Sequence, residues 1–143
     1  MANTVMTSFK KELMEGIHDF ETGGGGDTFK LALYSSSSSI NSAATTIYTT
    51  SDEVPNSGTY AAGGGTLAGQ TVGTSGTTAT CDFTDLEFTS ATINARYALI
   101  YLDGTPTKAV CILDFSTDQI STAGTFKIDF PVSGASTSII RVA

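Results

Sequence analysis

Apolar and polar positions alternate with a period of two along most of this chain, and with a helical period once, near its start. Between residues 7 and 20, Phe9, Leu13, Ile17 and Phe20 recur at near-helical spacing with Met14 beside them, while Lys10, Lys11, Glu12 and Glu15 face elsewhere. The pattern predicts one short amphipathic helix, capped by Thr7 or Ser8 and weakened at Gly16. The helix stops before Gly23-Gly24-Gly25-Gly26, a run that favours neither helix nor strand. Residues 1–26 thus read as a helical arm with a Gly-rich linker, and residues 27–143 as a β-domain. The helix either packs on its own sheet or docks on a neighbouring subunit, and the pattern leaves both open.

After the linker the period is that of strands. Thr28 to Tyr34 places Phe29, Leu31 and Leu33 on one face, with Lys30 and Ala32 on the other. Ser35 to Ser39 reads as a solvated loop, Thr45 to Thr50 as a short β-branched strand, and Asp52 to Gly65 as a long irregular loop holding Tyr60. Tyr60 is a candidate contact residue, although a lone loop tyrosine more often packs locally. Thr66 to Val72 is a further strand, followed by a turn at Gly73 to Gly76. Thr77 to Phe83 is next, with Ala79, Cys81 and Phe83 inward, and a shift of parity at Leu86 and Phe88 predicts a bulge or bend near Asp85. Ile93 to Leu102 and Lys108 to Phe115 flank Asp103-Gly104-Thr105-Pro106 and predict a hairpin. Thr125 to Phe130 and Ser138 to Val142 complete the set. About eight strands without βαβ alternation predict an all-β fold, an antiparallel two-sheet sandwich of jelly-roll type, with an open barrel as the alternative.

Composition narrows what such a domain does. Ser and Thr supply 40 residues and Gly 15, only 15% are charged, and Trp is absent, so hydroxyls rather than charges solvate the surface. Seven basic residues against fourteen acidic ones give a net charge of −7, and Lys10-Lys11 is the one adjacent basic pair. This argues against contact with nucleic-acid phosphates. No apolar run approaches the ~20 residues of a spanning helix, and the first 20 residues lack the apolar segment of a signal peptide, which predicts synthesis in a cytoplasm. Cys81 and Cys111 sit in strand-like runs and read as buried thiols rather than a disulfide.

Candidate chemistry is sparse. Nucleophilic catalysis needs a base, and His18, the one histidine, sits in the predicted helix. Asp82 with Asp85 or Glu87, and Asp114 with Asp118, are spaced like solvated turn acids, and no Trp offers a sugar platform. Asp103, Asp114, Asp118 and Asp129 lack the spacing of a known calcium loop, and the Gly runs lack that of a phosphate-binding loop. Neither a catalytic residue, a cofactor nor a metal is expected.

TFKLALY (Thr28–Tyr34), IYTTSDE (Ile47–Glu53), GGGTLAGQT (Gly63–Thr71), the succession ARYALIY, KAVCILDF and GTFKIDFP, and the ending IIRVA together resemble small virion structural proteins of tailed bacteriophages. The resemblance covers most of residues 28 to 143. It implies a non-enzymatic particle component without matched binding residues. A small, acidic, hydroxyl-rich β-domain suits a decoration (cement) protein of the outer capsid surface, a homotrimer whose partner is the major capsid protein, with no nucleic acid or membrane bound. Phe9, Leu13, Ile17, Phe20 and Tyr60 are the candidate partner contacts. A tail-side subunit (connector, tail tube or fibre base) is the alternative, weakened by strands that read as short where tail tubes use long hairpins. A carbohydrate-binding module for host attachment would need exposed aromatics from Tyr48, Tyr60, Tyr97 and Tyr101, of which Tyr97 and Tyr101 share the parity of core residues.

Overall fold

A computed structural model describes residues 3–143. In chain order the elements are β1 (Thr4–Val5), α1 (Thr7–Met14), β2 (Phe29–Tyr34), β3 (Gly65–Thr66), β4 (Thr71–Ser75), β5 (Thr78–Asp82), β6 (Leu86–Leu102), β7 (Lys108–Ile128) and β8 (Ile140–Val142). They form two antiparallel sheets, one of five strands in the order β1-β7-β6-β2-β3 and one of three in the order β4-β5-β8. The fold is an all-β sandwich with one short helix. β2 lies inside its sheet between β6 and β3: it pairs with β6 from Phe29↔Leu102 to Tyr34↔Tyr97, and its residues other than Lys30 are buried, so Ala32, expected on the face of Lys30, is in the core as well.

The core is continuous across both sheets. Phe20 stacks on Phe29 with ring centroids 4.3 Å apart, Phe29 meets Phe83 at 6.0 Å, and Phe83 meets Phe130 at 5.9 Å. Each such ring, fully buried, contributes about 1.5–3 kcal/mol of transfer free energy. Cys81 and Cys111 are buried free thiols, and burial pushes both up to about 12. A thiol held that high is almost wholly protonated at neutral pH. Ellman's reagent should therefore label neither cysteine in native buffer and both in denaturant.

The largest departure from the sequence reading lies in β6 and β7. Lys108 to Phe115 and Thr125 to Phe130 are not separate strands. Lys108–Ile128 is one strand of 21 residues, paired with the 17-residue β6 in a single long hairpin. The turn-like residues between them are held in the ladder by side chains: Ser121 Oγ donates to the Ala91 carbonyl, and Ala123 N–H donates to Thr92 Oγ1. The bend expected near Asp85 is the passage from β5, which ends at Asp82, to β6, which begins at Leu86 in the other sheet. The hairpin has further irregularities between Phe88 and Ala91, Ala91 and Ile93, Ala95 and Tyr97, and Ile100 and Tyr101.

Other corrections are local. The helix ends at Met14 rather than residue 20, because Gly16 turns the chain with φ +70. Neither Thr7 nor Ser8 caps it; Met6 occupies that position, its N–H already donated to the Val110 carbonyl. Residues 45–50 form no strand, since their contacts with the sheet are single bonds, such as Ala109 N–H to the Thr46 carbonyl. The expected strand 66–72 is divided between β3 and β4, and the turn falls at Gly76-Thr77, so β4 runs on to Ser75. Ala79 faces solvent and Thr78 and Thr80 are buried, Thr80 Oγ1 lying 3.1 Å from Ser133 Oγ. The final strand is the shorter Ile140–Val142.

Candidate functional site

Of the two placements open for the N-terminal segment, the structure has the one on its own sheet. Met6, Phe9 and Phe20 belong to the same core as the sheets. The glycine run is not a loose tether. Asp27 N–H donates to the Asp19 carbonyl and Asp19 N–H to Asp27 Oδ2, both at 2.8 Å, closing residues 19–27 into a loop. Gln70 Nε2 then ties that loop to the body through the Glu21 and Asp27 carbonyls, and Thr22 Oγ1 donates back to the Gln70 carbonyl.

The five candidate contact residues do not make one surface. Phe9, Phe20 and Tyr60 are buried, Leu13 packs half-buried against the core, and Ile17 is exposed. The early end of the helix takes Ile17 off the stripe of Phe9 and Leu13. His18, though outside the helix, is buried among Phe9, Phe20 and Phe29, its Nε2 2.8 Å from Glu12 Oε2. Glu12 also meets Lys108 Nζ at 3.3 Å, so this small polar cluster bolts the helix to the start of β7.

The densest polar constellation centres on Glu53, which sequence reasoning did not single out. Its Oε1 accepts hydrogen bonds from Tyr60 Oη at 2.8 Å and Gly63 N–H at 2.7 Å, and its Oε2 from Tyr48 Oη at 2.6 Å. Tyr60 Oη in turn accepts from Leu33 N–H at 2.9 Å, and Tyr101 Oη donates to the Gly63 carbonyl at 2.6 Å. Tyr48 stacks on Tyr101 with centroids 4.9 Å apart. Burial, with the nearby Glu53 charge, raises the Tyr34, Tyr48 and Tyr60 phenols above their ordinary range, and burial beside Asp103 and Glu53 pushes Tyr101 up to about 12. The phenols stay protonated donors. This arrangement fixes the 52–65 loop against β2, and it presents no aromatic platform: Tyr60, Tyr97 and Tyr101 are buried and Tyr48 is half-buried.

Several of the remaining acids are engaged one by one. Asp103 pairs with Lys30 at 3.0 Å, Lys127 with Asp85 at 3.2 Å and also with Asp129, and Asp82 Oδ1 accepts from Phe83 N–H. Among the described residues no three His, Cys, Asp or Glu side chains are grouped to hold a metal. Nor is any helix there long and apolar enough to cross a membrane. Asp114 accepts from Arg96 Nε at 2.7 Å and from Ser116 N–H, and the guanidinium holds its carboxyl well below the usual carboxylate range. A depressed folded value contributes stability that is present above the unfolded pKa of about 3.9 and lost as pH falls through the folded value. In denaturant titrations, the advantage of wild type over Asp114→Asn should therefore be full at pH 6 and shrink progressively below about pH 4.

The open surface lies elsewhere, along β7. A groove of about 700 Å³ runs between this strand and the C-terminal segment, with Val5, Leu113, Phe126, Ile128, Ile139 and Arg141 among its walls. Beside it, residues 116–120 are exposed, as are Thr122 and Ala123. Ile120 is 69% exposed, an unusual place for a large apolar side chain in the middle of a long strand. No family model, curated protein or solved structure matches this chain.

Proposed function

We propose that this protein is a non-enzymatic structural component of a tailed-bacteriophage virion, a decoration protein that binds the major capsid protein on the outer capsid surface. The observation that carries this reading is the groove between β7 and the C-terminal segment, whose walls include Leu113, Phe126, Ile128, Ile139 and Arg141, aromatic, aliphatic and Arg side chains that suit contact between proteins. The resemblance supports it, and the stretches that carry it have structural places: TFKLALY spans β2, ARYALIY lies in β6 and KAVCILDF in β7. Glu53 and its tyrosines serve to fix a loop, a task that suits a building block. A chain of net charge −7 is repelled by packaged DNA, which favours the outer face of a shell. Many copies, each burying a modest area, would stiffen the joints between capsomers by multivalent attachment.

One observation favours a second reading. The hairpin of 17 and 21 residues is long, whereas the sequence suggested short strands, and long hairpins suit tail-side rings. A reconstruction of the particle decides between them. Hundreds of copies over the outer shell are expected for decoration; six or twelve copies at one vertex would give the tail-side reading, and absence from the particle would sink both.

A further inference from the structure

From the free edge of β7, we infer that two copies of this chain pair strand to strand, antiparallel, about a two-fold axis at Ile120. The N-terminal segment covers the outer edge of β7 from Val110 to Asp114, through Met6 N–H to the Val110 carbonyl, the β1 pairs at Cys111 and Ile112, and Asp114 N–H to Asn3 Oδ1. Among the described residues no strand pairs with that edge further along. Exposed strand edges are normally blunted by lysine, proline or very short length. Here the run from Phe115 to Phe126 contains neither lysine nor proline. Its pairing with β6 is irregular between Asp114 and Gln119 and again between Ser121 and Gly124, where Ser116 and Ala123 have φ of 67 and 46, so Gln119, Ile120 and Ser121 form the regular centre of this edge.

Charge selects the occupant. In a chain of net charge −7 two copies repel except where charge is missing, and Asp118 is the sole charged residue between Phe115 and Phe126. A register centred on Ile120 sets it opposite Ile120 of the second copy. Asp118 then faces Thr122 and Gln119 faces Ser121, so no like charges oppose each other. The two Asp118 residues lie four positions apart along the paired strands, about 13 Å, beyond the ~8 Å screening length of physiological salt. The apolar pair, 69% exposed in the single chain, is covered by its own mate. Such a contact is isologous and joins copies in pairs; a trimer would use another surface. It concerns the isolated chain and stands whether or not the chain belongs to a particle.

The test is sedimentation equilibrium of the full chain up to about 1 mM, because an edge contact this short buries less than the ~1,200 Å² of a stable interface. Wild type should dimerise. Ile120→Lys should weaken the dimer about tenfold or more by opposing two ammonium groups, while Val72→Lys, on the exposed β4, should leave it unchanged. Ile120→Cys under mild oxidation should give a disulfide-linked dimer, a readout that survives if the lysine variant fails to fold. A wild type that stays monomeric, an Ile120→Cys chain that cross-links no faster than Val72→Cys, or dissociation by Val72→Lys alone would each overturn the pairing.

Discussion

Glu53→Ala is expected to cost about 4 kcal/mol of folding stability, more than half of what a marginal domain possesses. The carboxylate accepts three hydrogen bonds, from Tyr48, Tyr60 and the Gly63 N–H. Bonds to a charged acceptor are worth about 1.5–3 kcal/mol each, and losing the acceptor leaves its donors to be desolvated alone. Alanine removes every acceptor at once, and the buried Tyr60 cannot turn to water without leaving the core. Glu53→Gln keeps one carbonyl oxygen and should cost about half as much. Tyr60→Phe is the complementary measurement, since it removes both the donor to Glu53 and the acceptor for Leu33 N–H. Urea denaturation of the three variants and of the double variant Glu53→Gln/Tyr60→Phe gives the coupling. Additive losses would mean that the network is not a unit.

Gly64→Ala should be at least as damaging, through the backbone. Gly64 has φ +78, and a Cβ there would overlap the Leu31 carbonyl. The obstacle is main chain, the Leu31 carbonyl and the Ala32 Cα beside it, so no rotamer change relieves it. The left-handed conformation costs a non-glycine residue about 1 kcal/mol, and the overlap forces β3 away from β2, where Leu31 pairs with Gly65. A loss of about 4 kcal/mol or more, or failure to fold, is expected. Gly24→Ala is the control: φ is +94 but nothing lies near its Cβ, so only the conformational penalty of about 1 kcal/mol remains. Equal losses at the two sites would refute the argument from overlap.

The legible and illegible parts of this fold divide along a physical line. β2 and the ends of the long hairpin were written as alternation or as apolar runs, because burial by a sheet acts on each residue where it stands. The middle of β7 was not. STDQISTAG has the composition of a turn, and it becomes strand where it pairs with β6 and where Ser121 and Thr92 add side-chain hydrogen bonds across the hairpin, spanning 30 and 31 residues in sequence. Residues 45–50 misled in the opposite sense, β-branched without a strand to pair with. Glu53 was passed over because its meaning lies in partners at positions 48, 60 and 63 that converge only when the loop closes. Tyr60, singled out as a surface contact, is the buried half of that same knot. The solvent-exposed Ile120 had no signal beyond being an isolated apolar residue among hydroxyls.

The two-residue β1 sets a timetable for the molecule's birth. Thr4 pairs with Ile112 and Val5 with Cys111, so this strand leaves the ribosome well before the partner that lies up to 108 residues behind it. At roughly 5–20 residues per second, Met6 and Phe9 stay without their final neighbours for about 5–20 s, a period in which the chain depends on its hydroxyl-rich, weakly apolar composition to remain unaggregated. Pairing at such separation also makes the last step of folding slow, in the millisecond-to-second range of non-local β topologies. The finished sandwich is sealed by a strand made long before its partner.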